Sequence, residues 1–168
     1  KRSEEIDVSV LPSLVDVDQV VRHVSRLTTP GARYGAFFAV MGMAGLRPSE
    51  VAAMRVADLE LPDEGWGLVM RGPIATPGAR YTASAEAREH RGLKHRSSSV
   101  RVVPLPPELV MILRAHLERW PAQSGLVFTN RRGDPVAPGN YGRVWTRETG
   151  RLWPKGHPLA ETEPYDLR

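Results

Sequence analysis

Arg47 and Glu50 stand three residues apart in Gly45-Leu46-Arg47-Pro48-Ser49-Glu50-Val51. The arginine falls where an apolar stretch ends at a glycine and a new helix opens at Pro48. Burying a guanidinium without a partner is expensive, and Glu50, one helical turn on, is placed to orient it. Two readings fit. One is a charge pair that merely closes a helix junction; the other is a fixed guanidinium fork that receives an anion through two oxygens at once. A second basic feature lies further along. Between Arg71 and Arg101, seven Lys and Arg face only Glu86 and Glu89, so the segment carries +5 against +4 for the whole chain. Such a concentration suits a phosphate-backbone partner, and equally a solvated loop.

Other chemistries find less support. With no cysteine, disulfides, thiolate metal sites and Cys nucleophiles are excluded, and the composition fits a cytoplasmic protein. His23, His90, His95, His116 and His157 show no metal-ligand spacing and read as scattered surface residues. Trp66, Trp120, Trp145 and Trp153 read as core or helix-end packing rather than base-stacking platforms. No run of about eighteen apolar residues exists to span a membrane. Lys1 to Glu5 is not a signal peptide and reads as the start of an excised piece.

The elements that must position these residues follow from periodicity. Residues 1–12 lack it and read as a linker, leaving 13–168 as one domain. Asp16 or Asp18 caps a helix whose stripe is Val17, Val20, Val21, Val24 and Leu27. A second helix, from about Ala32 to Ala44, is apolar nearly all round and belongs at the centre. A short helix opens at Pro48. Trp66 to Met70 and Val100 to Leu105 read as strands around a long Gly-, Ala- and Arg-containing excursion. Pro106 to Trp120 and Asn140 to Gly150 read as helices, with a loop over Gly156 to Pro164. The expected fold is α+β and mainly helical: a helical body with a small antiparallel β-sheet at one edge.

Three stretches, in order, resemble the tyrosine recombinases, the phage-integrase family of DNA strand-transfer enzymes. Gly45 to Leu61, GLRPSEVAAMRVADLEL, is similar to the family's first box, a Gly-Leu-Arg followed by Glu and an apolar helix. Leu93 to Pro107, LKHRSSSVRVVPLPP, resembles its lysine-bearing hairpin. Pro164 to Arg168, PYDLR, resembles the start of the second box, usually His-x-x-Arg. The resemblance covers nearly the whole chain.

It implies catalytic roles for Arg47, Lys94 and Arg168, with Glu50 supporting Arg47 and Tyr165 standing where the family usually has His. It also implies DNA contacts for Arg91, His95, Arg96 and Arg101. In such enzymes a tyrosine attacks the scissile phosphate and forms a 3′-phosphotyrosyl intermediate, which a 5′-hydroxyl then reverses without any cofactor. The implied partner is double-stranded DNA, bound by a homotetramer of the full-length protein. Tyr165, with an ordinary pKa of about 10, is a poor base at neutral pH. The family's last box, which carries the nucleophile, falls beyond Arg168, so the chain reads as cut off before it. None of Tyr34, Tyr81, Tyr141 and Tyr165 has a nucleophile's context, and the 168 residues alone are expected to be inactive. The alternatives are a non-catalytic DNA-binding or regulatory module, with Leu46 to Leu61 as part of a helix-turn-helix, and a decayed integrase remnant.

Overall fold

The computed structural model describes residues 12–28, 30–70, 74–75, 89–90, 101–122 and 124–167. Helix α1, Leu14–Ser25, starts at a reciprocal cap. The Ser13 Oγ accepts the Asp16 N–H at 3.3 Å while the Asp16 carboxylate accepts the Ser13 N–H at 2.8 Å. Two end donors are thereby satisfied. Ser13, not Asp16 or Asp18, is therefore the cap; Asp16 is its partner three residues on. The face Val17, Val20, Val21 and Val24 is buried.

That face meets α2, Tyr34–Ala44, which follows a 3-10 turn over Pro30–Arg33. Tyr34 through Met41 are all buried, as the all-round apolar pattern demands. The two helices approach closely because position 42 is glycine: a Cβ there would lie 2.5 Å from Val17 Cγ1. On the other sides of α2 lie α4, Pro107–Arg119, and α5, Pro138–Leu152. Phe37 stacks on Tyr141 with centroids 4.9 Å apart and meets Phe128 edge-on at 5.3 Å. Phe38 meets Trp145 edge-on at 5.1 Å. Both phenylalanines are wholly buried, each contributing about 1.5–3 kcal/mol by removal from water. No described helix is long and apolar enough to cross a membrane.

The fold is mainly helical. Its described strands form two separate antiparallel ladders of two residues each. Strand β1, Val69–Met70, pairs with β4, Arg101–Val102; β2, Ile74–Ala75, pairs with β3, Glu89–His90. Leu68 makes only an isolated bridge to Leu59, although its carbonyl accepts the Val103 N–H at 2.9 Å. Both expected strands are thus shorter than their apolar runs. Trp66 is 62% exposed, which corrects its assignment to core packing. The stretch expected as loop over Gly156 to Pro164 contains the 3-10 helix Pro158–Glu161, and a second 3-10 helix covers Pro164–Leu167. The proposed linker, apart from Pro12, lies outside the described residues.

The assignment of all five histidines to the surface also fails. His116 on α4 is 4% exposed, packed against Trp120 and Phe128, with Nε2 3.1 Å from the Val127 carbonyl. Burial pushes its pKa down to about 4. The unfolded imidazole, near 6.5, binds a proton between those values while the folded one does not. Stability conferred by neutral His116 is therefore full above about pH 6.5 and lost as pH falls towards 4, by on the order of 3 kcal/mol. Urea midpoints measured between those pH values should fall with acidity, and His116→Gln should flatten the slope. An unchanged slope in that variant would contradict the assignment.

Candidate functional site

The site forms where α2 stops. Gly45 takes the left-handed conformation, φ 62°, that ends the helix, a conformation that costs a residue with a side chain about 1–2 kcal/mol. Leu46 is fully buried and anchors the turn. Arg47 is extended, φ −69° and ψ 149°, and caps α3, Pro48–Ala52. It is a cap residue, not a member of the same helical face as Glu50. The Glu50 carboxylate folds back, accepting the Arg47 backbone N–H at 2.8 Å, and its Oε1 lies 3.7 Å from Arg47 Nη1. Glu50 is 2% exposed, whereas the Arg47 side chain is 46% exposed. A buried anion thus supports a cation that faces outward.

Tyr165 reaches this junction from the other end of the chain. The Tyr165 phenol lies beside the Arg47 guanidinium, within reach of a side-chain hydrogen bond. That bond, reinforced by the Glu50 charge, raises the guanidinium pKa against the opposing effect of burial. Three anchors hold the segment bearing Tyr165. The Trp145 Nε1–H donates to the Thr162 carbonyl at 2.7 Å, Thr162 Oγ1 donates to the Leu159 carbonyl at 2.8 Å, and Leu167 is buried in the core. The Asp166 carboxylate accepts the Glu163 N–H at 2.7 Å and tightens the turn. A phenol that accepts from Arg47 keeps its own proton to donate. Arg47 and Tyr165 together therefore offer several donors to an incoming oxyanion, over a carboxylate that fixes one of them.

Of the residues singled out from the sequence, Arg47, Glu50 and Tyr165 come together. Lys94, Arg91, His95, Arg96 and Arg168 lie outside the described residues. Arg101 enters β4 opposite Met70. Sequence reasoning missed a second polar centre around Glu148 on α5, which is completely buried. Its carboxylate accepts from Arg147 Nε at 2.5 Å and Arg151 Nη1 at 3.1 Å, and lies 2.9 Å from His23 Nε2 on α1. Burial alone would raise its pKa, but the hydrogen bonds from Arg147, His23 and Arg151 hold it below the ordinary value. A signal was present: Arg143, Arg147 and Arg151 recur every fourth residue, the spacing of one helix face.

The chain is similar in fold to solved integrases and recombinases. Against the Tn1549 transposon integrase in complex with transposon right end DNA, the TM-score is 0.72 at 14% identity, covering 99% of this chain and 53% of the other. Against the XerA recombinase it is 0.63 at 15% identity, covering 99% and 49%. The XerH site-specific recombinase bound to its difH substrate gives 0.60 at 13%, covering 94% and 40%. The chain spans about half the length of the first two. Neither a protein-family model nor a curated relative matches the sequence. The architecture is thus that of integrases and site-specific recombinases, the fold that the three ordered sequence stretches resemble.

Proposed function

We propose that these residues form the phosphate-binding part of a tyrosine recombinase catalytic domain, acting on double-stranded DNA. The observation that carries this reading is the meeting of Arg47, Glu50 and Tyr165 from two distant boxes on one exposed guanidinium. In the proposed reaction the scissile phosphorus exchanges its bond to the 5′-oxygen for one to a tyrosine oxygen. Arg47 and Arg168 meet the charge that develops on the phosphoryl oxygens. Lys94 supplies the proton that the departing 5′-oxygen takes, a transfer for which guanidinium is poorly suited. Tyr165, hydrogen-bonded to Arg47, donates to a phosphoryl oxygen rather than acting as a base.

The two short ladders belong, in this reading, to one small antiparallel sheet that carries Lys94. Arg91, His95, Arg96 and Arg101 contact the DNA backbone. The whole protein works in the cytoplasm as a homotetramer on its recombination site and needs no cofactor. The helix-turn-helix alternative fits less well, because α3 has five residues and buries Pro48, Glu50 and Val51, leaving no exposed recognition helix there. The decayed-remnant alternative is separated by experiment.

The test is covalent trapping. A nicked duplex bearing the recombination site, incubated with the whole protein and denatured, should leave protein attached to the 3′-phosphate. The 168-residue chain alone should bind duplex and form no adduct. Failure of the whole protein to form an adduct on any nicked site cut from the flanks of its own gene would overturn the reading.

A further inference from the structure

At the end of α2 away from Arg47 lies an open cleft of about 430 Å3, lined among others by Arg33, Arg131, Arg143, Arg147, Asn130 and Asn140. Among the described residues no carboxylate lines it. Arg33, Arg131 and Arg143 have no carboxylate partner among the described residues. Several of these guanidinium groups are nonetheless held in place. Arg33 Nη1 donates to the Thr129 carbonyl at 2.6 Å, and its buried Nε has no hydrogen-bond partner among the described residues. Arg143 donates to the Gly139 carbonyl at 2.7 Å and to Asn140 Oδ1 at 2.9 Å. Arg147 is fixed by the buried Glu148, which ties the cleft wall to His23 on α1. Each bond uses only part of a guanidinium's five donors. The remainder, beside the first turns of α5 with their own favourable dipole, meet no carboxylate among the described residues.

We infer that this cleft is a second, non-reacting phosphate seat, which grips the backbone of the duplex whose scissile phosphate lies at Arg47. The inference rests on the recombinase reading of the Arg47 site. An extended polyanion fits better than a small one, because Arg131, Arg143 and Arg147 are all exposed and spread along an open cleft. The spacing fits too. Eleven residues of α2 rise about 16 Å, which corresponds to roughly five base-pair steps at 3.4 Å per strand charge. One duplex is long enough to touch both ends of the helix. The cleft is distinct from the basic segment around Lys94, and it assigns DNA contact to residues that no motif marks.

The test is the salt dependence of duplex binding by the 168-residue chain, followed by fluorescence anisotropy. Each lost phosphate contact lowers the slope of log affinity against log salt by about 0.9. Arg131→Ala with Arg143→Ala should lower it by about one to two, each single variant by less, while Arg143→Lys keeps most of it. Thermal melts check that the exposed substitutions leave the fold intact, and the single variants carry the test if the double one is destabilised. Arg47→Ala, at the far end of α2, serves as the reference. If the cleft variants keep the wild-type slope while Arg47→Ala lowers it, the cleft inference fails and the recombinase reading stands. If the wild-type chain shows no salt-sensitive duplex binding, both fail.

Discussion

Replacing Arg47 with alanine is expected to slow strand cleavage by the whole protein by a factor of ~10²–10³ or more, the usual effect of removing one fixed donor to a developing oxyanion. The geometry makes this residue hard to replace. Its backbone is set by the Gly45 turn and the start of α3, its charge is backed by Glu50, and its fork is partly aligned by Tyr165. Arg47→Lys should lose nearly as much, because an ammonium cannot span two phosphoryl oxygens in a plane. Single-turnover cleavage of a nicked substrate reads the effect, and thermal melts separate it from unfolding, since alanine also leaves the buried Glu50 short of a partner. Tyr165→Phe, which removes one hydrogen-bonding hydroxyl and no charge, should cost less than either. Cleavage by Arg47→Lys within about threefold of wild type would remove this guanidinium from the chemistry.

The largest stability effect should come from Trp145. It is 1% exposed, meets Phe38 edge-on, and bonds the Thr162 carbonyl. Trp145→Ala is expected to cost about 3–5 kcal/mol, combining lost burial with the cavity left behind. Trp145→Phe keeps most of the volume and loses the indole N–H, leaving the carbonyl unpaired, for about 1–3 kcal/mol. Urea unfolding measures both. The phenylalanine variant has a second readout, because Thr162 leads into the turn that holds Tyr165. DNA affinity should fall in that variant under conditions where it is still folded. If stability falls and affinity does not, Trp145 supports the core without positioning the site.

The parts of the fold that could be read from sequence are those specified locally. The stripes of α1 and α4 and the all-apolar α2 declare their faces by period alone. The Gly45-Arg47-Pro48-Glu50 junction is legible because its turn, cap and counter-charge lie within six residues. Most of what was misread depends on distant partners, and the α1 cap is the local exception. Ser13 and Asp16 share one cap, so either could be taken as its leading residue. His116 carries no motif, and only the packing of Trp120 and Phe128 around it shows that it is buried. Trp66 has a core residue's chemistry but stays 62% exposed. Tyr165 could be tied to Arg47 only through a family resemblance, since nothing near either residue in the chain announces the other. The Glu148 centre was written into the four-residue spacing of its arginines, but a carboxylate among charges on a helix usually means a solvated face.

Tyr165 sits on a 3-10 turn with little regular hydrogen bonding of its own, held by Trp145, Leu159 and Leu167 rather than by its own ladder. Short turns of this kind do not persist without the body they rest on. In a local opening reaction such a segment detaches before the helices separate, and it docks only once α2 and α5 are packed. The consequence is kinetic. Half of the pair proposed to bind an oxyanion is in place only in molecules whose core is already complete, so partly folded chains present Arg47 without its companion. Amide exchange should find the protection of Leu167 well below that of Phe37 and Phe38, and any condition that frays this turn should weaken phosphate capture before it changes the helical content.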